Sequence, residues 1–129
     1  MGFLHHSVYL VYFEMGRTEL MRERGLVYAD MEADGRYVTI AHVDCRYRTP
    51  ARYDDRLAVD TDVLEVRGAR VVFGSRVLRP EDGGETLIAE ATVTGALIGP
   101  DGRPRRFPQA ERRLLLGLSA DAEPRRADL

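Results

Sequence analysis

The apolar positions of the chain change period once, near residue 35. Before that point they recur with helical spacing. Ser7 reads as a helix N-cap and Gly25 as the residue just past the C-terminus, with Arg22 and Arg24 in the last turn complementing the dipole. The stretch of about seventeen residues between them would span roughly 25 Å. Val8 to Phe13 ring the helix instead of forming one stripe, which predicts burial on several sides at this end. The second half, with Arg17, Glu19, Arg22, Glu23 and Arg24, is polar enough to emerge into water.

Beyond residue 35 the period is two. Ala41, Val43, Cys45 and Tyr47 alternate with His42, Asp44 and Arg46, and Leu57, Val59, Thr61 and Val63 alternate with Ala58, Asp60 and Asp62. Val71 to Val77 predict a third strand and Leu87 to Leu97 a fourth. Turn signals at Arg67-Gly68-Ala69, Glu81-Asp82-Gly83-Gly84 and Asp101-Gly102 separate them, and such short links favour antiparallel neighbours. Pro108 opens a short helix through Leu116, and residues 118–129, "LSADAEPRRADL", read as a loose tail. The layout is α+β: one long helix followed by a four-stranded meander that must curl around it, in a single domain over residues 1–117.

Composition narrows the chemistry. A chain of 129 residues supports one domain with a real core, and a net charge of -2 gives no field that favours nucleic acid. All nineteen basic residues are arginine, which rules out Schiff-base catalysis through lysine. The single cysteine, Cys45, excludes an intrachain disulfide and a cysteine-built zinc cage, and suits a reducing cytoplasm. No apolar run is long enough to span a bilayer, and none reads as a signal peptide.

Two stretches carry a family resemblance. "GFLHHSVYLVYFEMGR", Gly2 to Arg17, fits the pattern G-x-(V/L)-x-H-x-x-Y-(L)-x-x-(F/W)-(E/D)-x-x-R, and "TPARYDDRL", Thr49 to Leu57, looks like the loop that follows in the same family. The chain resembles the hotdog-fold acyl-CoA thioesterases of the 4-hydroxybenzoyl-CoA thioesterase-like branch, over nearly its whole length to about Leu116. The resemblance implies a long central helix wrapped by a curved antiparallel sheet. It also implies an acyl-CoA substrate, no metal or redox cofactor, and a homodimer or homotetramer with a cleft shared between subunits. By register, His6 is the position whose backbone amide faces the thioester carbonyl. The family's catalytic aspartate falls three residues before the glycine that matches Gly2, and its first strand falls earlier still, both ahead of Met1. The expectation is a natural start upstream that supplies both. The alternative is an acyl-CoA-binding or assembly protein without turnover.

The candidate residues each have a plainer reading beside the catalytic one. His6 has a side chain suited to proton transfer or to orienting substrate, against a packing or capping role; the register favours function. His5 reads as structural, and two adjacent histidines diverge too far for a metal site. Glu14, on the apolar half of the helix, is a candidate buried base, although an ion pair with Arg17 explains it better. Tyr9 lines either the acyl pocket or the core. Asp54-Asp55 fit a turn with Asx hydrogen bonds, Asp60 and Asp62 the wet face of a strand, and Gly83 to Glu85 a hairpin rather than a phosphate loop. Arg67, Arg105 and Arg106 are the candidates for the CoA phosphates, because the resemblance places basic residues near those positions and guanidinium forks suit phosphate.

Overall fold

The structure, a computed structural model, describes residues 2–117 and the backbone of 125–128. Helix α1 runs Val8–Glu23 and a short α2 runs Tyr28–Ala33; strands β1 (Tyr37–Tyr47), β2 (Ala58–Arg67), β3 (Arg70–Glu81) and β4 (Gly84–Ile98) follow, then α3 (Gln109–Leu115) and β5 (Arg125–Asp128). Gly25 ends α1 as anticipated. Its φ of 91° lets its N–H reach the Arg22 carbonyl while Leu26 N–H reaches Met21, so the last carbonyls are satisfied and Leu26 folds back into the core. Gly35 repeats the device after α2, a helix too short to show a period of its own. The start of α1 differs from expectation. Ser7 occupies the N-cap position but makes no side-chain capping bond; its hydroxyl pairs instead with His5 Nδ1 at 2.8 Å.

The five strands are ordered β1-β4-β3-β2-β5. The meander holds for β2, β3 and β4, whose tight turns at Gly68 and Gly83 force neighbours to pair. It fails for β1, which pairs antiparallel with β4 at the far edge. Residues 48–57 are long enough to cross the end of the sheet, so sequence adjacency places no constraint there. The loose-tail reading is corrected at 125–128, where the backbone pairs with Ala58–Thr61. The outer edge of β2 otherwise offers unpaired N–H and C=O groups, and the chain end takes up four positions of it. Residues 118–124 lie outside the described residues.

Helix α1 lies on the sheet against β2, β3 and β5. The sheet-facing stripe is Tyr9, Phe13, Gly16, Arg17, Leu20 and Met21. All-round burial of the first turns is therefore corrected: Leu10, Val11 and Met15 remain 42%, 53% and 50% exposed on the other side. A single sheet covers one side of a helix, and among the described residues nothing buries these positions on the other. The core has two parts. One gathers Tyr9 and Phe13 with Leu57, Val59, Val77 and Ile88; the other gathers Leu20 and Met21 with Leu26, Phe73, Leu97 and Leu115. Between them the helix comes down on the sheet at Gly16, where a Cβ would lie 2.4 Å from Thr61 Oγ1.

Candidate active site

The crossing segment 48–57 folds against the residues that precede α1. Leu4 N–H donates to the Ala51 carbonyl at 2.7 Å, and Phe3 bridges Arg52, whose guanidinium stacks 4.7 Å from the Phe3 ring centroid. The two stretches that carry the family resemblance thus meet in space. Between them opens a cleft of about 340 Å³ lined by Leu4, His6, Tyr9, Tyr47, Arg48, Thr49 and Pro50.

Backbone geometry aims this cleft at the helix start. The His5 carbonyl accepts Val8 N–H at 3.0 Å, so it points into the helix. The peptide joining His5 and His6 is trans, and its N–H therefore points the opposite way, out of the helix at its N-terminal end. Among the described residues no hydrogen bond engages this His6 N–H. The next amide, Ser7 N–H, is taken by His5 Nδ1 at 3.3 Å, which leaves the proton of a neutral His5 ring on Nε2. A free backbone donor at the positive end of a helix dipole is an anion-stabilising group.

Aromatic rings wall the site. Tyr47 lies edge-on to His6 with centroids 6.2 Å apart and tilted against Tyr9 at 5.6 Å. Tyr9 is buried; desolvation raises its pKa, opposed in part by a hydrogen bond from the Ala51 backbone, so it stays protonated at neutral pH. The His6 imidazole is exposed at the mouth.

Of the residues singled out from the sequence, His6 and Tyr9 are brought together here. Glu14 is not. It is exposed on α1, which corrects the buried-base reading, and among the described residues no ion pair joins it to Arg17. The Arg17 guanidinium turns inward instead, hydrogen-bonding Tyr28 and lying 6.0 Å from the Phe73 ring, and desolvation lowers its pKa. Arg67, Arg105 and Arg106 gather at the other end of the sheet: Arg67 faces Arg70 across the β2–β3 turn, Arg105 N–H donates to Leu97, and Phe107 N–H donates to Gly68. Tyr47 pairs with Ala89, and from there to Leu97 along β4 is on the order of 26 Å. One chain does not bring these arginines to its own cleft.

Asp55 is held by the Arg52 N–H at 2.8 Å and by Arg79 at 3.1 Å, which fits the turn reading. Asp60 departs from the wet-face reading, being only 7% exposed and paired with Arg76 at 3.2 Å. The strand β5 running alongside β2 helps to cover it. Asp60 belongs to a larger hollow of about 480 Å³ on the outer face of the sheet, with Asp62, Arg76 and Glu90. That hollow has no helix terminus, and Arg76 and Arg48 already pair with its carboxylates. The smaller cleft is the better candidate. Tyr47 and Arg48 were not singled out from the sequence; the signal was the end of a period-two strand running into Thr49-Pro50. Among the described residues no group of His, Cys, Asp and Glu side chains is placed to hold a metal ion, and no helix is long and apolar enough to cross a membrane.

A sequence profile described as the thioesterase superfamily matches residues 1–86. The chain belongs to this superfamily. It is 29% identical over 110 residues to the acyl-CoA thioester hydrolase YbgC of Escherichia coli, covering 84% of this chain and 80% of that one. Among solved structures, a hypothetical protein from Thermus thermophilus superposes with a TM-score of 0.82 at 32% identity, over 92% of this chain and 88% of that one. A probable thioesterase from Bartonella henselae gives a TM-score of 0.75 at 30% identity, over 83% of this thioesterase and 86% of that chain. The long helix lying against a curved antiparallel sheet is the hotdog fold.

Proposed function

We propose that this thioesterase hydrolyses an acyl-CoA thioester to the free acid and CoA, with the thioester carbonyl placed at the His6 N–H. The observation that carries this reading is the free His6 amide at the start of α1, opening onto an aromatic-walled cleft. As water adds to the carbonyl carbon, negative charge builds on the oxygen, and the His6 amide with the helix dipole stabilises it. The His6 imidazole at the mouth takes the proton from the attacking water and returns it to the departing thiolate. The name of the Escherichia coli relative supports the substrate class. The reading calls on no metal or redox cofactor and places the reaction in the cytoplasm.

The same reading includes a homodimer. Among the described residues strand β1 is a free edge with Tyr37, Ile40, Val43 and Tyr47 exposed, and Leu10, Val11 and Met15 are exposed apolar residues on α1. Antiparallel pairing of β1 with a second copy of itself sets the Tyr37 end of one chain beside the Tyr47 end of the other. Ile98 pairs with Tyr37, so the arginine-bearing end then flanks the second copy's cleft, where CoA phosphates need cations.

The test follows free thiol release from a panel of acyl-CoAs. His6→Ala keeps the backbone amide and is expected to lower kcat about a hundredfold through lost proton transfer. A version extended by a strand and an aspartate three residues ahead of Gly2 is expected to exceed the 129-residue chain in turnover. Tight acyl-CoA binding without thiol release from either version would establish a binding protein instead.

A further inference from the structure

Residues 5–7 precede the regular ladder of α1, and Ser7 gives them no side-chain cap. Yet the proposed oxyanion donor sits in this turn, where an error of a fraction of an ångström weakens a hydrogen bond. The peptide joining His6 to Ser7 is held at both ends. Its N–H goes to His5 Nδ1 at 3.3 Å, and its carbonyl accepts the Tyr47 hydroxyl at 3.3 Å. The two anchors differ in rigidity. His5 is an exposed ring on the same short turn, whereas Tyr47 ends a strand paired with Ala89 of β4, and its ring rests on those of His6 and Tyr9.

We propose that Tyr47 is a positioning residue: by donating to the His6 carbonyl, its hydroxyl fixes the turn that presents the His6 N–H to the thioester. The inference rests on the hydrolase reading above. The Tyr47 ring is 48% exposed, so the residue is not needed to fill the core, and its hydroxyl has a specific acceptor. Desolvation first, and a hydrogen bond with the Cys45 thiol second, raise its pKa, so the phenol stays protonated across neutral pH. Without this bond the His6–Ser7 peptide keeps only its contact with the exposed His5 ring, and the turn that carries the His6 amide is held less firmly.

The experiment compares wild type, Tyr47→Phe and Tyr47→Leu in thiol release, at a temperature where circular dichroism shows all three folded. Backbone amide exchange at His6 and Ser7 is read by NMR on the same samples. Tyr47→Phe keeps the ring and removes only the donor. Its kcat is expected to fall about tenfold with KM within twofold, as a partial loss of one oxyanion donor, and amide exchange at Ser7 is expected to quicken. Tyr47→Leu is expected to fall further, because the ring contacts go too. An unchanged kcat and unchanged exchange in Tyr47→Phe overturn the proposal, as does a rise in KM at constant kcat, which would assign the hydroxyl to substrate binding. Absence of thiol release from wild type overturns the hydrolase reading itself and the catalytic role of Tyr47 with it.

Discussion

Leu4 N–H donates to the carbonyl of Ala51 at 2.7 Å, joining the segment ahead of α1 to the segment that crosses the sheet. Ala51 is fully buried, and its backbone also supplies a hydrogen bond to the Tyr9 hydroxyl in the first turn of the helix. Strand end, crossing segment and helix start are thereby fixed to one another around the cleft.

Tyr9→Phe tests that arrangement. It keeps the ring in the core and leaves the Ala51 backbone group without its phenol partner in a buried site. The expected loss is about 1–3 kcal/mol in urea unfolding, with an unchanged m-value. A variant as stable as wild type would mean that water replaces the phenol.

Gly16→Ala is expected to destabilise although alanine favours helices. The new methyl would fall 2.4 Å from Thr61 Oγ1 and 2.8 Å from Val59 Cγ1. Overpacking of this kind costs about 1–3 kcal/mol, against a helix-propensity gain of about 1 kcal/mol. A net loss on the order of 1 kcal/mol is expected, with part recovered when Thr61→Ala is added to the variant. Calorimetric melting of the single and double variants checks both.

Val11→Asp addresses assembly. Val11 is 53% exposed, so a monomer tolerates the change and helical content is expected to persist. A carboxylate desolvated between two copies is far more costly. Sedimentation equilibrium at micromolar concentration is expected to show a dimer for wild type and a monomer for the variant, with thiol release lost alongside. A wild-type monomer that still turns over would remove the shared cleft.

Asp55 gives a pH dependence with a definite sign. The Arg52 N–H, and after it Arg79, hold its carboxyl below the usual range. Its contribution is therefore complete above the ordinary carboxylate pKa, near about 3.9, and fades as the pH falls through the lower folded value. Asp55→Asn is expected to melt earlier than wild type at pH 7 and to converge with it in acid. Melting curves at both pH values decide; a constant gap between the proteins at all pH values would place the effect in packing.

Local chemistry made much of this fold legible. The turn at Gly68 and the Gly25 end of α1 are set by the residues themselves, and the strand alternation around Val59, Phe73 and Val93 follows from burial of one face. Where β1 would pair was not written locally, because residues 48–57 are long enough to permit several neighbours. The outer side of α1 misled for a related reason: an apolar position does not state whether its own chain buries it, and Leu10, Val11 and Met15 are exposed. At the site, the register of the first motif brought His6 and Tyr9 to one cleft, while the distance of Arg67 and Arg105 from that cleft was not legible, because sequence motifs carry no distances. Tyr47 was hidden by its regularity, since an aromatic residue at the end of an alternating strand reads as core.

The sheet order also sets a sequence of events. The turns at Gly68 and Gly83 let β2, β3 and β4 zip from local contacts, whereas β1 must find β4 by joining Tyr37 to Ile98 and Tyr47 to Ala89 across the whole hairpin pair. Closing that loop costs chain entropy before any contact rewards it. Strand β1 carries Tyr47, and the crossing segment that follows it carries Ala51. The walls of the cleft are consequently expected to be among the last parts to form, so a chain with only β2, β3 and β4 paired would hold core contacts without the cleft.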